Sequence, residues 1–379
     1  MMIKKYVSTP SRICLFGEHQ DYLGLEVIAL AIDLRFSASV EKRQDGKIDI
    51  KIRNSAIGTL GQENTQGLYE HYQIDLKKPI FYENNRDYLK SSVQVLLKQG
   101  YDLGSGFSIV MDSTIPIGKG MCSSSTMIVA LIKALLEGID SPDRENAEKI
   151  ARLAFLAEIV EFQEPGGMMD HYTSALGGQV HLNFADGKTK VTKLSGSIPE
   201  CFILFDSLEV KNTTQVLADS KIPTLEALEM LKPYGVERVT DFIDRPELME
   251  SIDQLDEYRK KKLMANIDNY RILQEALVLL KSGNYQPQQL GKLIYRHHLN
   301  LRDGLGISTP AIEKILDTAL AHGALGGKVN GSGGGGCLFV YAMEQDAERI
   351  IQAVSAMGYP GRRIYQDTGV RLDRIERMD

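Results

Sequence analysis

Three stretches of this chain gather side chains able to do chemistry. Glu18, His19 and Asp21 crowd three polar groups into four positions between Gly17 and Gly24. If buried, they demand partners. A polyhydroxy ligand would supply them, because carboxylates accept hydroxyl hydrogens and histidine can donate. A solvated acidic loop is the other reading. Asp170 follows the break Pro165-Gly166-Gly167, beside Met168 and Met169. It could act on a substrate hydroxyl as a base or positioner, or cap the short helix that 172–176 predicts. Glu158 and Glu161 could hold Mg2+ together with phosphate and water oxygens. Three residues apart, they could equally be neighbours on an exposed helix face.

Two glycine-rich loops complete the set. In 115–137, Gly118 and Gly120 allow a tight turn, Ser123, Ser124 and Ser125 offer an N-cap, and Met127, Ile128, Leu131, Ala134 and Leu135 recur with helical spacing. A glycine loop opening a helix presents unpaired N–H groups and the positive dipole end, a site for nucleotide phosphates. A capped helix after a turn explains the same residues. The second loop, 330–336, contains a Gly-x-Gly-x-x-Gly match. The run 338–341 behind it reads as a strand rather than a helix, which excludes the dinucleotide fingerprint. No Walker, His-Glu-x-x-His or Gly-x-Ser-x-Gly pattern occurs.

The elements that must position these groups follow from pattern. Residues 5–15 alternate like a strand, with a turn expected at Thr9-Pro10-Ser11. Strands are predicted at 27–32, 36–41, 48–53 and 107–111, and a polar surface excursion at 54–67. Helices are predicted at 86–99 and 145–162, the latter stopped by Pro165-Gly166. Strands at 179–184 and 191–194 flank a hairpin through Asp186-Gly187. Beyond a boundary near 196–200 lie a buried strand (201–205), short helices broken by Pro233 and Pro246, and long helices at 255–281, 287–303 and 309–322. The second glycine loop spans 328–337. A strand at 338–342, a helix at 346–357 and a strand at 369–373 close the chain. Strands interleaved with helices on a two-layer plan indicate an α+β protein.

The 379 residues suffice for two domains with cores of their own. A net charge of −6 disfavours nucleic-acid binding, and no run is long and apolar enough for a membrane span or a signal peptide. Lys260, Lys261 and Lys262 read as a solvated helix face. Four scattered cysteines without a Cys-x-x-Cys argue against zinc or a redox pair and fit a reducing cytoplasm.

Taken together, the motifs become specific. Arg12…Gly17-Glu18-His19-x-Asp21-Tyr22, then Pro116-x-Gly118-x-Gly120-Met121-x-Ser123-Ser124, then the loop 330–337 ending Gly335-Gly336-Cys337 occur in the order of the GHMP small-molecule kinases. Met169-Asp170 after a Pro-Gly pair and Leu301-Arg302-Asp303 extend the match over nearly the whole chain, which most resembles the galactokinases. The resemblance implies a two-domain fold. An N-terminal domain (1–197) would be similar to part of a ribosomal protein, and a C-terminal domain (198–379) would be ferredoxin-like. It implies ATP and Mg2+ as cofactors, a small-molecule sugar as acceptor and phosphorylation at its anomeric hydroxyl. Gly118, Lys119, Gly120, Met121, Cys122, Ser123, Ser124 and Ser125 would wrap the ATP phosphates, with Ser123 and Glu158 at the metal. Asp170 would face the anomeric hydroxyl, with Arg12 beside it. Glu18, His19, Asp21, Tyr22 and Gly167 would form the sugar site. Gly331, Ser332, Gly333 and Gly334 would pack against the phosphate loop.

The departures cluster at the sugar side. The family's Arg-Val-Asn-Leu is Arg12-Ile13-Cys14-Leu15 here, its Thr is Gln20, and its Asn after Tyr is Leu23. Its Ser-Ser-Glu-Tyr segment lacks a counterpart in 207–220, which holds Lys211 and Asn212. Kinase activity is therefore implied more firmly than galactose. Pro10-Ser11-Arg12-Ile13-Cys14 is also similar to uronic acid kinases, although Glu18 would repel a substrate carboxylate. The same acidity disfavours a mevalonate-type substrate. Retention of Asp170, Ser123 and Arg12 argues against a non-catalytic sugar sensor.

Overall fold

The computed structural model describes residues 2–54, 68–116, 118–164, 166–184, 189–210 and 213–378. The polar excursion expected at 55–67, the hairpin at Asp186-Gly187, and Lys211 and Asn212 lie outside the described residues.

β1 (Met2–Phe16) and β2 (Val27–Lys42) form a long antiparallel pair. Pro10 does not turn the chain. It lies in the strand where the register shifts between Pro10 and Ser11, an irregularity that tolerates a residue without an N–H. The two strands predicted at 27–32 and 36–41 are likewise one. β3 (Lys47–Asn54), β4 (Leu68–Asp75), α1 (Tyr88–Lys98), β5 (Phe107–Ser113) and α2 (Ser123–Gly138) follow, then α3 (Ala147–Phe155) and α4 (Met169–Leu176). β6 (Gln179–Asn183) and β7 (Lys190–Leu194) extend the sheet beside β2. The helix expected over 145–162 ends as α3 at Phe155 and passes into a π-turn at Leu156–Val160.

β8 (Cys201–Asp206) opens the second sheet. α5 (Thr213–Leu231), α6 (Asp241–Asp244), α7 (Glu257–Ser282), α8 (Pro287–Leu299) and α9 (Pro310–Ala321) separate it from β9 (Ala324–Val329) and β10 (Cys337–Ala342). α10 (Ala347–Ser355) and β11 (Gly361–Ile364) complete an antiparallel sheet of order β11-β8-β10-β9. Counted along the chain that order is 4-1-3-2, the ferredoxin-like pattern.

β12 (Arg371–Met378) does not stay with the second sheet. It pairs antiparallel with β1, so the first sheet runs β12-β1-β2-β5-β3-β4. The division expected at 197/198 thus does not split the chain into two consecutive blocks: the last strand belongs to the first sheet. One apolar cluster joins β1, β2, β5 and α2 to Phe202, Leu204, Phe339 and Ile294 of the second half. The loops between the sheets are therefore held by a shared core.

Candidate active site

The three sequence motifs converge on one cavity of about 680 Å³. Arg12, Glu18, His19, Asp21 and Tyr22 line it from the first motif, and Gly118 and 120–125 from the second. Glu158, Gly167 and Asp170 come from the helical segment, and Gly331 and Ser332 from the third loop.

At one end, backbone makes the site. α2 begins at Ser123, and Cys122 precedes it at φ +48° without a side-chain cap. The expected serine cap is absent, so the N-cap side chain takes none of the first-turn N–H groups, and with the helix dipole behind them these donors suit an anion. The loop is braced from the far half of the chain. Asn330 Nδ2 donates to Gly120 O at 3.0 Å, while Asn330 Oδ1 accepts the Cys14 N–H at 2.9 Å. The Cys337 N–H donates to Lys119 O at 2.9 Å. A Cβ on Gly331 would meet Gly120 O at 2.7 Å, so only glycine allows this approach. Lys119 does not line the cavity; its ammonium pairs with buried Asp206 at 3.1 Å. Gly333 and Gly334 pack on Ile307 and Val216 outside it.

Glu158 and Glu161 separate. Glu161 takes Tyr82 and Lys98 away from the cavity. Glu158 is buried and lies 2.7 Å from His171 Nε2. Burial works against its charge, but the bonds from His171 and the Ser124 and Ser125 hydroxyls hold its pKa below the ordinary value. Glu158 lies in the π-turn, where it and Ala157 are buried. Mg2+ takes one or two carboxylates and completes its shell with phosphate and water. An ionised Glu158 beside Ser123 at an anion-binding helix end fits that need. Among the described residues no three His, Cys, Asp or Glu form a metal cage, so the ion would depend on the nucleotide.

At the other end, side chains make the site. Asp170 is in the first turn of α4 but caps nothing there. It accepts Arg12 Nε at 2.7 Å, and Arg12 also donates to Gly120 O at 3.1 Å. Burial opposes the guanidinium charge, but Asp170, Cys122 and Glu18 together raise the Arg12 pKa. Glu18, 4% exposed, accepts from Lys328 at 2.9 Å; Lys328 is fully buried and also donates to Cys14 O at 2.8 Å. Burial would neutralise Glu18, yet Lys328 and Arg12 keep it ionised. His19 Nε2 is 2.9 Å from Ser332 O, and its Nδ1 is 3.0 Å from the Tyr22 hydroxyl. A carbonyl only accepts, so Nε2 carries a proton. Asp21 lies against Gly167, where a Cβ would stand 1.8 Å from Oδ2. Burial, then the charge of Asp170, pushes Asp21 up to about 6.

Sequence reading missed Lys328, placed at the start of a loop rather than in β9, and His171. It also missed Lys221 of α5, which lines the cavity with its ammonium 5.2 Å from the Tyr22 ring centroid. Two glycines disguise β9: a Cβ on Gly326 would lie 1.9 Å from Gly291 O in α8, so the strand needs glycine to pack there.

One cavity thus sets the uncapped start of α2 beside a carboxylate–guanidinium pair. The GHMP kinase N-terminal domain model matches residues 87–178, the GHMP kinase C-terminal model 276–360, and the galactokinase galactose-binding signature 4–42. The chain belongs to the GHMP kinases and is an ATP-dependent kinase. It is 26% identical to the mevalonate kinase of Thermococcus onnurineus, over 97% of this chain and 98% of that one. It is 25% identical to the galactokinase of Bacillus subtilis, over 97% and 91%. The crystal structure of Lactococcus lactis galactokinase complexed with galactose superposes with a TM-score of 0.77 at 19% identity, covering 97% of this chain and 95% of that one. Among the described residues no helix is long and apolar enough to cross a membrane.

Proposed function

We propose that this kinase transfers the γ-phosphate of ATP to the anomeric hydroxyl of a monosaccharide, galactose or a close neutral relative. The observation that carries the reading is the Arg12–Asp170 pair at 2.7 Å, held between the phosphate loop and the hydroxyl-binding residues. Phosphoryl transfer needs in-line positioning and charge neutralisation rather than covalent catalysis. The N–H groups at the start of α2 take the phosphates. Mg2+, held at Ser123 and Glu158, would neutralise phosphate charge. Asp170 orients the acceptor hydroxyl and takes its proton as the new O–P bond forms and the bond from the γ-phosphorus to the β,γ-bridging oxygen breaks, releasing ADP. Arg12 holds Asp170 in place through its Nε–H and counters charge on the transferring group. Glu18, Asp21 and His19 read the remaining hydroxyls, and the galactose-binding signature over 4–42 supports a sugar. Four cysteines, all buried and scattered through the chain, suit a reducing cytoplasm.

A second reading, an acidic sugar such as a uronic acid, is favoured by two contacts. Lys328 neutralises Glu18, which removes the repulsion expected from the sequence, and Lys221 brings a cation to the same cavity. Incubation with Mg·ATP and a panel of neutral sugars, uronic acids and mevalonate, read by ADP release and phosphorus NMR, decides between them. A C1-phosphate on a neutral sugar is expected. Turnover confined to uronic acids selects the second reading, and turnover confined to mevalonate overturns both.

A further inference from the structure

We infer that Lys119 and Asp206 are a positioning pair that seats the phosphate loop on the second sheet, so that nucleotide affinity is set from outside the cavity. The chain turns on either side of Lys119, with Gly118 at φ +71° and Gly120 at φ +82°. Both glycines line the cavity and Lys119 does not. One rung of the second sheet takes Lys119 by its main chain and its side chain. Cys337 of β10 and Asp206 of β8 face each other in the antiparallel ladder. The Cys337 N–H donates to Lys119 O at 2.9 Å, and the Lys119 ammonium lies 3.1 Å from Asp206 Oδ1. The ammonium also donates to Glu209 O at 3.3 Å.

Asp206 is fully buried, and among the described residues its Oδ2 has no hydrogen-bond partner. Its Oδ1 accepts the Leu208 N–H at 2.8 Å beside the ammonium. A buried ion pair adds little stability over well-packed apolar side chains, since desolvation offsets the attraction. It does penalise every arrangement that parts the two charges, because each then stands buried and unpaired. The arrangement enforced here is that of the phosphate loop. With Lys119 seated on the β8–β10 rung, Gly120 comes against Gly331, and its carbonyl accepts from Asn330 and Arg12. Asp206 does not line the cavity either. The pair therefore acts on bound phosphate through the main chain on which the phosphate rests.

The inference rests on the reading that phosphates bind at the start of α2. A double-mutant cycle in the full chain tests it, with Mg·ADP affinity from calorimetry and KM for each substrate from steady-state kinetics. Lys119→Met and Asp206→Asn should each raise the Kd for Mg·ADP about ten- to a hundred-fold, the loss that a displacement of about 1 Å produces. KM for ATP should rise with it while KM for the acceptor stays unchanged. Loss of folded protein alone lowers kcat and leaves both KM values in place. The double variant should bind no worse than the weaker single, because neither residue acts without the other. Lys119→Arg, which keeps the cation, should bind Mg·ADP better than Lys119→Met. A Lys119 that held phosphate directly would leave Asp206→Asn at parent affinity or tighter, and that result overturns the inference. So does full additivity of the two substitutions. Ser123→Asp separates the failures, because it places a carboxylate at the start of α2 and should abolish Mg·ADP binding. If it does so while the pair variants bind like the parent, the inference alone is lost. If it does not, the reading of the phosphate end falls and the inference with it.

Discussion

The two ends of the cavity are built from different materials. The proposed phosphate end is backbone: Gly331 packs against the main chain of Gly120, Gly118 turns the chain at φ +71°, and the α2 N-terminus supplies the field. The proposed acceptor end is side chains held by partners far away in sequence, Glu18 by Lys328 and Asp170 by Arg12. Backbone sites bind what every member of such a family shares, a triphosphate. Side-chain sites change with single substitutions, because a hydroxyl site rejects ligands that leave its polar groups unpaired. That contrast explains why the chain is similar to both galactokinases and mevalonate kinases at comparable identity.

Five substitutions test the contrast, and the largest effect belongs to the acceptor end. Asp170→Asn should lower turnover by roughly a hundred- to ten-thousand-fold while calorimetry shows Mg·ATP binding unchanged. A loss of nucleotide affinity instead would mean that the two ends are not separable. Lys328→Met leaves Glu18 buried and unpaired, which should cost about 3–5 kcal/mol in denaturant unfolding. Adding Glu18→Gln should return part of that stability, and a neutral single variant would remove Lys328 from the argument. Asn330→Ala strips partners from Gly120 O and the Cys14 N–H at once. A loss of about 1–3 kcal/mol is expected, with KM for ATP rising before KM for the acceptor.

The mildest effect is a pH dependence. Asp21 titrates near 6, above the usual carboxylate range. Its protonated form therefore persists to higher pH in the folded state, and that contribution to stability fades as pH rises through about 6. Ionised Asp21 accepts a substrate hydroxyl, so KM for the acceptor should rise as pH falls below about 6 in steady-state kinetics. Asp21→Asn should flatten that limb; an unchanged limb would assign it to another group.

The same contrast governs what was legible in the sequence. Gly118-x-Gly120, the serines and the apolar helix behind them are contiguous, so the phosphate end could be read directly. Glu18, His19 and Asp21 were legible as a polar knot because they are neighbours. Their charge states were not, because Lys328 lies 310 residues from Glu18 and its strand carries the two glycines that packing on α8 requires. Asp170 looked as suited to capping as to chemistry until Arg12, 158 residues away, was seen to hold it. Glu158 is buried within a π-turn, which leaves no periodic signal distinct from an α-helix. Pro10 predicted a turn because local chemistry cannot announce a register shift whose partner residues lie across the sheet.

The pairing of β1 with β12 also orders events during synthesis. Residues 2–8 wait for residues 371–378 to find their neighbour, so the first sheet stays one strand short until nearly all of the chain has left the ribosome. Domains generally fold as units in the order they are made, but here the earliest strand is closed by the latest. A nascent chain halted in the second half would therefore present β1 as a bare edge, open to whatever strand arrives first.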